Sequence, residues 1–418
     1  MGFSKRASHP FSLCLKRGEE ISFPFAMKIT PDYEESYSYV KKALLTMLWM
    51  VGGDRLVFDG DKDFCGYLFS RASKDEELQR SFAEMSKIYG KDVRLEFGPV
   101  SLMASFPKRK IALSSKGKRI GLDLGGSDIK VTALDEGKAV YTSEFPWDPK
   151  SATDCFYHIE HIKKALLEAE RRLGGVDAVG ISTSGVVAGD KLIYPSLFLS
   201  CDEKQKRYCI TTIYKDIVAS LFPDSSFFLL NDGDASALLS SYLYGADDVL
   251  GLSLGTSLAS GYIKEGALCP YLNELSKAPI DFSESAKSHY SLGIRGSASE
   301  VLGQKGIVSL TQAKDLFFAG NLPEKLAQIQ DRCKKGEEKA IACFEELGEM
   351  LGSAILYWSL FLPFSSVAVF GRVSDGNGGE IMRASALKEI TKNGKRIDFI
   401  KVDERFKRLG QSYLAALL

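Results

Sequence analysis

One pattern occurs twice in this 418-residue chain, and it limits the possible folds more than any other feature. GLDLGGSDIKVTALDEGKAV runs from 121 to 140, and GLSLGTSLASGYIKEGAL runs from 251 to 268. Gly121, Leu122, Leu124, Gly125 and Ser127 align with Gly251, Leu252, Leu254, Gly255 and Ser257. One gap then aligns Glu136-Gly137 with Glu265-Gly266. Each copy reads as a strand, a bend of small residues, a second strand, a tight turn and a third strand. The spacing is too long for a solenoid, so each copy is expected to open one lobe of an α/β protein, with a cleft between the lobes. The competing explanation is a chance likeness of two glycine turns.

Composition removes several classes of function. Lys plus Arg and Asp plus Glu both number 54, so no global charge calls for nucleic acid or a membrane surface. The eight cysteines form no CxxC pair and read as reduced thiols of a cytoplasmic protein. No signal peptide is apparent. The most apolar stretch, AILYWSLFLPFSSVAVF (354–370), is short for a membrane span and broken by Pro363. It reads as a buried helix, a break and a buried strand.

The bends suit a phosphate chain. Phosphate oxygens need backbone N–H donors at close range, which only Gly, Ser or Thr allow. Gly125, Gly126 and Ser127 meet that need, as do Gly255, Thr256 and Ser257. Asp123, two residues before the first bend, can hold Mg²⁺ through water. Neither bend is a P-loop or a Rossmann fingerprint. VDAVGISTSGVV (176–187) is a buried strand ending at Ser184 and Gly185. SFFLLNDGDASALLSSYLYG (226–245) is a buried strand that stops at Asn231-Asp232 and enters a helix. Polar groups at the carboxyl ends of such strands face the ligand crevice. Asp232 there is either a helix cap or a general base, and Asp234 falls in the first helical turn.

The first hundred residues read as β-α-β-α-β, with Pro31 at the first position of the first helix. Residues 106–119 read as a basic linker. No compact helix-turn-helix pattern is present. His158 and His161 lie three apart on a helix and read as a solvated face rather than a metal site. Residues 324–358 are amphipathic and read as packing for the second lobe.

In order along the chain, GLDLGGSDIK, GISTSGVV, LLNDGDASAL, LSLGTSLASGYIKEG, LPFSSVAVFGRVS and the closing RLGQSYLAAL resemble the ROK family of sugar kinases and related repressors. That family belongs to the actin-like ATPase and hexokinase superfamily. The resemblance covers roughly residues 118 to 418. It implies a first lobe over 118–235, a second over 236–400, and a C-terminal helix over 401–418 that returns to the first lobe. Residues 1–115 form an α/β extension outside it. The resemblance implies ATP and Mg²⁺ as cofactors, with Asp123, Gly125, Gly126, Ser127, Gly255, Thr256, Ser257 and Gly371 around the nucleotide. It implies Asp232 as catalytic base, and Asn231, Glu274, Ser184 and Gly185 at a sugar or sugar-like acceptor. The family often dimerises.

The chain also departs from the pattern. Leu275, Ser276 and Lys277 follow Glu274 where many members carry a Gly-His pair, and the later cysteine cluster is absent, so no structural zinc is expected. Asp128 stands where a basic residue is usual. The leading expectation is an ATP-dependent carbohydrate kinase. The alternative is a non-catalytic sugar- or nucleotide-binding sensor of the same fold, and a third reading is an ATPase that acts as a conformational machine.

Overall fold

A computed structural model describes residues 6–418, apart from the side chains at 207 and 208. The N-terminal unit has strands β1 (His9–Arg17), β2 (Ile21–Ile29), β3 (Arg55–Asp59) and β4 (Arg94–Phe97), in the sheet order β2-β1-β3-β4. Helices α1 (Tyr33–Met50), α2 (Lys62–Ala72) and α3 (Glu76–Tyr89) cover it. The element order is therefore β-β-α-β-α-α-β. Strand β1 was missing from the sequence reading, although Phe11, Leu13 and Leu15 alternate inward. Helix α1 starts later than expected. Asp32 caps it by accepting from the Glu35 amide (3.0 Å), which leaves Pro31 ahead of the cap.

The duplicated hairpins each found a five-stranded sheet. In the first lobe the strands are β5 (Lys118–Leu124), β6 (Asp128–Asp135), β7 (Lys138–Pro146) and β8 (Ala178–Thr183). A small ribbon of β9 (Val186–Ala188) and β10 (Lys191–Tyr194) follows, and β11 (Ser226–Asn231) completes the sheet in the order β7-β6-β5-β8-β11. The second lobe has β12 (Val249–Leu254), β13 (Leu258–Lys264), β14 (Ala267–Leu268), β15 (Ser366–Phe370) and β16 (Asp398–Ile400) in the order β14-β13-β12-β15-β16. Both sheets have three antiparallel strands followed by two parallel ones. The repeat therefore extends over the whole of each sheet and is not a chance likeness of turns.

Helices α4 (Cys155–Leu173) and α5 (Ile213–Leu221) cover the first sheet. Helix α6 (Asp232–Tyr244) leaves the first sheet and packs on the second. Helices α7 (Gly303–Ala313), α8 (Leu322–Lys334), α9 (Glu338–Trp358) and α10 (Gly376–Lys392) build the second lobe. The last helix, α11 (Glu404–Leu417), leaves the second sheet and packs on the first, against α6. Glycines permit both crossings. A Cβ at Gly121 would stand 2.0 Å from the Ser412 carbonyl oxygen, and one at Gly180 would stand 1.8 Å from that of Ala415. On the other sheet, a Cβ at Gly251 would lie 2.5 Å from the Ala237 nitrogen. Real side chains do not approach that closely, so only glycine lets these helices seat.

The N-terminal unit shares one continuous core with the second lobe. Phe25 stacks on Phe361 with ring centroids 4.3 Å apart, and the Thr46 and Tyr357 hydroxyls are 2.9 Å apart. The basic segment read as a linker is also docked. Arg109 exchanges backbone hydrogen bonds with Leu268, and Ser114 donates to the Leu417 carbonyl (2.7 Å). Among the described residues no helix is long and apolar enough to cross a membrane.

Candidate functional site

The two bends line one cleft, and the first residue of each donates its amide to a carbonyl two or three residues further on. The Gly125 amide donates to the Asp128 carbonyl (3.0 Å), and the Gly255 amide to the Ser257 carbonyl (2.9 Å). The amides of Gly126, Ser127, Thr256 and Ser257 have no acceptor among the described residues. Unsatisfied backbone donors on small residues are what an anionic phosphate chain needs. Helix α7 adds its N-terminus at the second bend, where the Gln304 amide donates to the Gly255 carbonyl (2.9 Å). The same cleft is lined by Asp123, Ser184, Gly185, Asn231, Asp232, Glu274 and Gly371. All the site residues picked from the sequence thus lie on one cleft.

At the end of β11, Asn231 and Asp232 divide the two roles open to them. Asn231 is the cap of α6: its side-chain oxygen accepts from the amides of Gly233 (2.8 Å) and Asp234 (3.3 Å). Its amide group donates to the Gly185 carbonyl (2.7 Å), which ties β11 to the loop after β8. Asp232 is therefore left facing the cleft, with one oxygen 3.0 Å from the Gly233 amide. Gln411 of α11 donates to its backbone carbonyl (2.8 Å), so both crossing helices fix its position. Burial first, then the charges of Asp123 and Glu274, raise the Asp232 carboxyl well above its usual range. Asp234 is pushed to about 7, mainly by burial, but it accepts from Asn273 (2.7 Å) and does not line the cleft.

Around the first bend, two carboxylates share one ammonium. Lys130 lies 3.1 Å from Asp123 and 2.9 Å from Asp128. Asp128 also receives Arg372 from the second lobe at 2.6 Å. Burial alone would raise Asp128, but Lys130 and Arg372 hold it below its usual value. Asp123 has no second cation among the described residues, and burial raises it. Arg372 thus restores from the opposite lobe the cation that the sequence lacks at position 128. Glu144 extends the contact, with Arg372 at 3.5 Å and Arg408 at 2.6 Å. This cross-lobe pair has a pH signature. A depressed carboxyl stabilises the fold above its unfolded pKa and loses that contribution as pH falls through the folded value. Arg372→Gln is expected to lower stability by about 1 kcal/mol at pH 7, with the gap to wild type closing in acid. Thermal melts from pH 3 to 7 check this, and a pH-independent gap would contradict it.

On the Glu274 side of the cleft, the N-terminal unit backs the loop that bears this residue. Carbonyls of Trp49, Met50 and Val51, at the end of α1, accept from the amides of Glu274 (2.8 Å), Asn273 (2.8 Å) and Leu272 (2.9 Å). The last carbonyls of a helix have no partner within it, and this loop supplies one. Lys277 pairs with Glu274 and lies between the rings of Trp49 (5.0 Å) and Tyr194 (5.6 Å). Lys277 belongs to the stretch that departs from the family's Gly-His pair, and with Glu274 it sets an ammonium-carboxylate pair in the cleft wall.

The sequence motifs do not single out Lys130, Arg372 or Trp49, and Lys277 shows there only as a departure from the family pattern. One signal was available for Lys130. Ile129, Val131 and Ala133 are buried on one face of β6, and Asp128 and Thr132 on the other. A lysine in a strand covered on both sides must find an anion. The reading of His158 as a solvated residue is corrected. It is fully buried, and its Nε2 lies 3.1 Å from the Pro149 carbonyl and 2.9 Å from that of Leu197. The apolar neighbours Trp147 and Phe198 enclose the ring, which a helical periodicity alone does not reveal. His161, half-buried, bonds the Tyr157 carbonyl (2.8 Å).

Two lobes built on duplicated glycine-bend hairpins and linked by two exchanged helices form a fold that solved ROK family structures share. No protein-family model matches the chain. The curated kanosamine kinase of Amycolatopsis mediterranei is 25% identical over 156 residues, which is 37% of this chain and 48% of that relative. The match therefore spans about half the length of that relative. Among solved structures, a ROK family glucokinase from Streptomyces griseus, in complex with glucose and AMPPNP, has a TM-score of 0.56 at 20% identity, covering 72% of this chain and 98% of its own. A ROK family transcriptional regulator, a homologue of the E. coli MLC protein, has a TM-score of 0.55 at 12% identity, covering 92% of this chain and 96% of its own. At these identities the structural likenesses establish the fold.

Proposed function

We propose that the chain is an ATP-dependent kinase of the cytoplasm, acting on a hydroxyl of a sugar or sugar-like molecule. One observation carries this reading: a single cleft joins two phosphate-type bends to a buried carboxylate of raised affinity for protons at the end of β11. Phosphoryl transfer needs positioning, charge neutralisation and a base near the acceptor oxygen. The free amides of the two bends receive the phosphates, and the loop at Gly371 lies beside the nucleotide. Asp232 accepts the acceptor hydroxyl's proton, and Glu274, Asn231, Ser184 and Gly185 orient the acceptor.

Asp123 fits the role of holding Mg²⁺ through water. Its oxygens touch Lys130 (3.1 Å) and the Ser182 hydroxyl (3.4 Å), and a carboxylate has lone pairs beyond those two contacts. Bound with the nucleotide, the ion would neutralise charge on the phosphates.

The test is ADP release from Mg·ATP with a panel of neutral hexoses, polyols, sugar acids and amino sugars. Acceptor-dependent release is the expected result. Protonated amino sugars should be the poorest acceptors, by about tenfold or more, because Lys150, Lys277 and Lys305 share the cleft wall. Nucleotide or sugar binding without release on any acceptor would replace the kinase with a sensor.

A further inference from the structure

Lys150 is an ammonium that lacks an anion. Among the described residues no carboxylate comes within salt-bridge distance of it, although it lines the cleft with Asp232 and the two bends. Lys277 has Glu274, and Lys305 has Glu300 at 2.6 Å. Desolvation, then the charges of Lys305 and Lys277, make Lys150 give up its proton more readily than usual, against the smaller opposing pull of the Asp232 charge. Three ammonium groups are thus gathered where only two have a partner.

Its position is built. The Lys150 ammonium lies 3.8 Å from where a Cβ on Gly126 would stand, beside the first bend. The segment that bears it is fixed from three sides. The Trp147 indole donates to the Gly125 carbonyl (2.8 Å), and the Trp147 amide to the Ser127 carbonyl (3.2 Å). The Ser200 hydroxyl donates to the Lys150 carbonyl. Buried His158 holds the Pro149 carbonyl, and its Nδ1 has no partner. Nε2 faces two carbonyls and so carries the proton, which makes the ring a neutral donor. Lys150 itself is exposed on a turn, so these contacts of its neighbours fix the backbone from which its ammonium reaches the bend.

We infer that Lys150 is a further catalytic residue, which holds the phosphoryl group during its transfer from the bends towards Asp232. The inference rests on the kinase reading above. In the step, the bond from the γ-phosphorus to the β,γ-bridging oxygen breaks and ADP leaves. The acceptor oxygen bonds to the phosphorus, and its proton passes to Asp232. Lys150 keeps its protons and neutralises charge on the non-bridging oxygens.

Calorimetric titration of ADP and of AMPPNP, in wild type and in Lys150→Met and Lys150→Arg, tests the assignment alongside turnover on the best acceptor. In wild type, AMPPNP is expected to bind more tightly than ADP. In Lys150→Met that preference should fall by about tenfold while ADP affinity stays within twofold, and kcat should fall by about a hundredfold or more. Lys150→Arg should restore part of both. Tight binding of both nucleotides with an unchanged preference in Lys150→Met would overturn the role of Lys150 and leave the kinase reading intact. Failure of wild type to bind either nucleotide would overturn both. A circular dichroism spectrum and melt identical to wild type keep the comparison one of chemistry, and the exposed loop position makes that the expected finding.

Discussion

Asp232→Asn is expected to lower kcat by about 10²- to 10⁴-fold on any acceptor the protein uses, with nucleotide affinity little changed. Asn preserves the shape of the side chain and can still accept from the Gly233 amide, so the geometry of the cleft survives. What is lost is a group able to take a proton. The same substitution should stabilise the fold at neutral pH. The carboxyl's pKa is raised in the folded state, so the folded chain binds its proton more tightly than the unfolded chain does. Ionising it therefore costs stability, and the cost begins as pH rises above the unfolded carboxylate value and is complete above the folded one. The Asn variant escapes this cost. Melts of both proteins should coincide near pH 3 and separate as pH rises, with the variant higher. The rate should show the complementary limb: wild-type kcat/KM rises with pH through the folded pKa as the base ionises. Loss of activity together with a lower melting temperature at pH 7 would point to a merely structural aspartate. Full activity in the variant would remove Asp232 from the chemistry.

The legible part of this molecule is the part dictated by local pattern. Two apolar strands around a bend of small residues specify a hairpin wherever they occur, so residues 121–140 and 251–268 could be read directly. The strand end at Asn231-Asp232 could be read for the same reason, although β11 is an edge strand with Phe228 exposed and not the buried strand its apolar run suggests. The assignment of cap and cleft residue between those two could not, because it depends on the Gly185 carbonyl, 46 residues earlier in the chain, which takes the Asn231 amide. Charge partners were similarly hidden. Asp128 and Arg372 are separated by 244 residues and meet only because the lobes face each other. The burial of His158 depends on Trp147 and Phe198 from different segments. The N-terminal unit was harder still. Its alternating strands and capped helices gave an α/β unit with one strand missing, but nothing in residues 33–50 announces that the end of α1 serves the loop at 272–277. That contact is made by main-chain groups, and main-chain groups leave no mark in a sequence.

Trp49→Ala therefore tests the least legible feature of the protein. Trp49 is buried, donates its indole N–H to the Ser81 hydroxyl (3.2 Å), and presents its ring to Lys277. Its own carbonyl receives the Glu274 amide. Removing the ring leaves a cavity beneath the loop at 272–277 and takes the aromatic face away from the ammonium that pairs with Glu274. A buried Trp→Ala change costs about 3–5 kcal/mol, so the melting temperature should fall. The functional effect should be one-sided. Acceptor KM is expected to rise by about tenfold or more as Glu274 and Lys277 lose their backing, whereas AMPPNP affinity should stay within about twofold, because the nucleotide bends are held by other elements. Trp49→Phe keeps a ring under Lys277 and loses only the indole hydrogen bond, so it should recover most of the acceptor affinity. If Trp49→Ala, measured well below its melting temperature, binds acceptor as wild type does, the N-terminal unit is a stabilising cover and no part of the acceptor site. If acceptor binding falls while nucleotide binding holds, the extension is a wall of the site: the helix end at Trp49–Val51 then fixes the acceptor loop through hydrogen bonds that it would otherwise leave unmade.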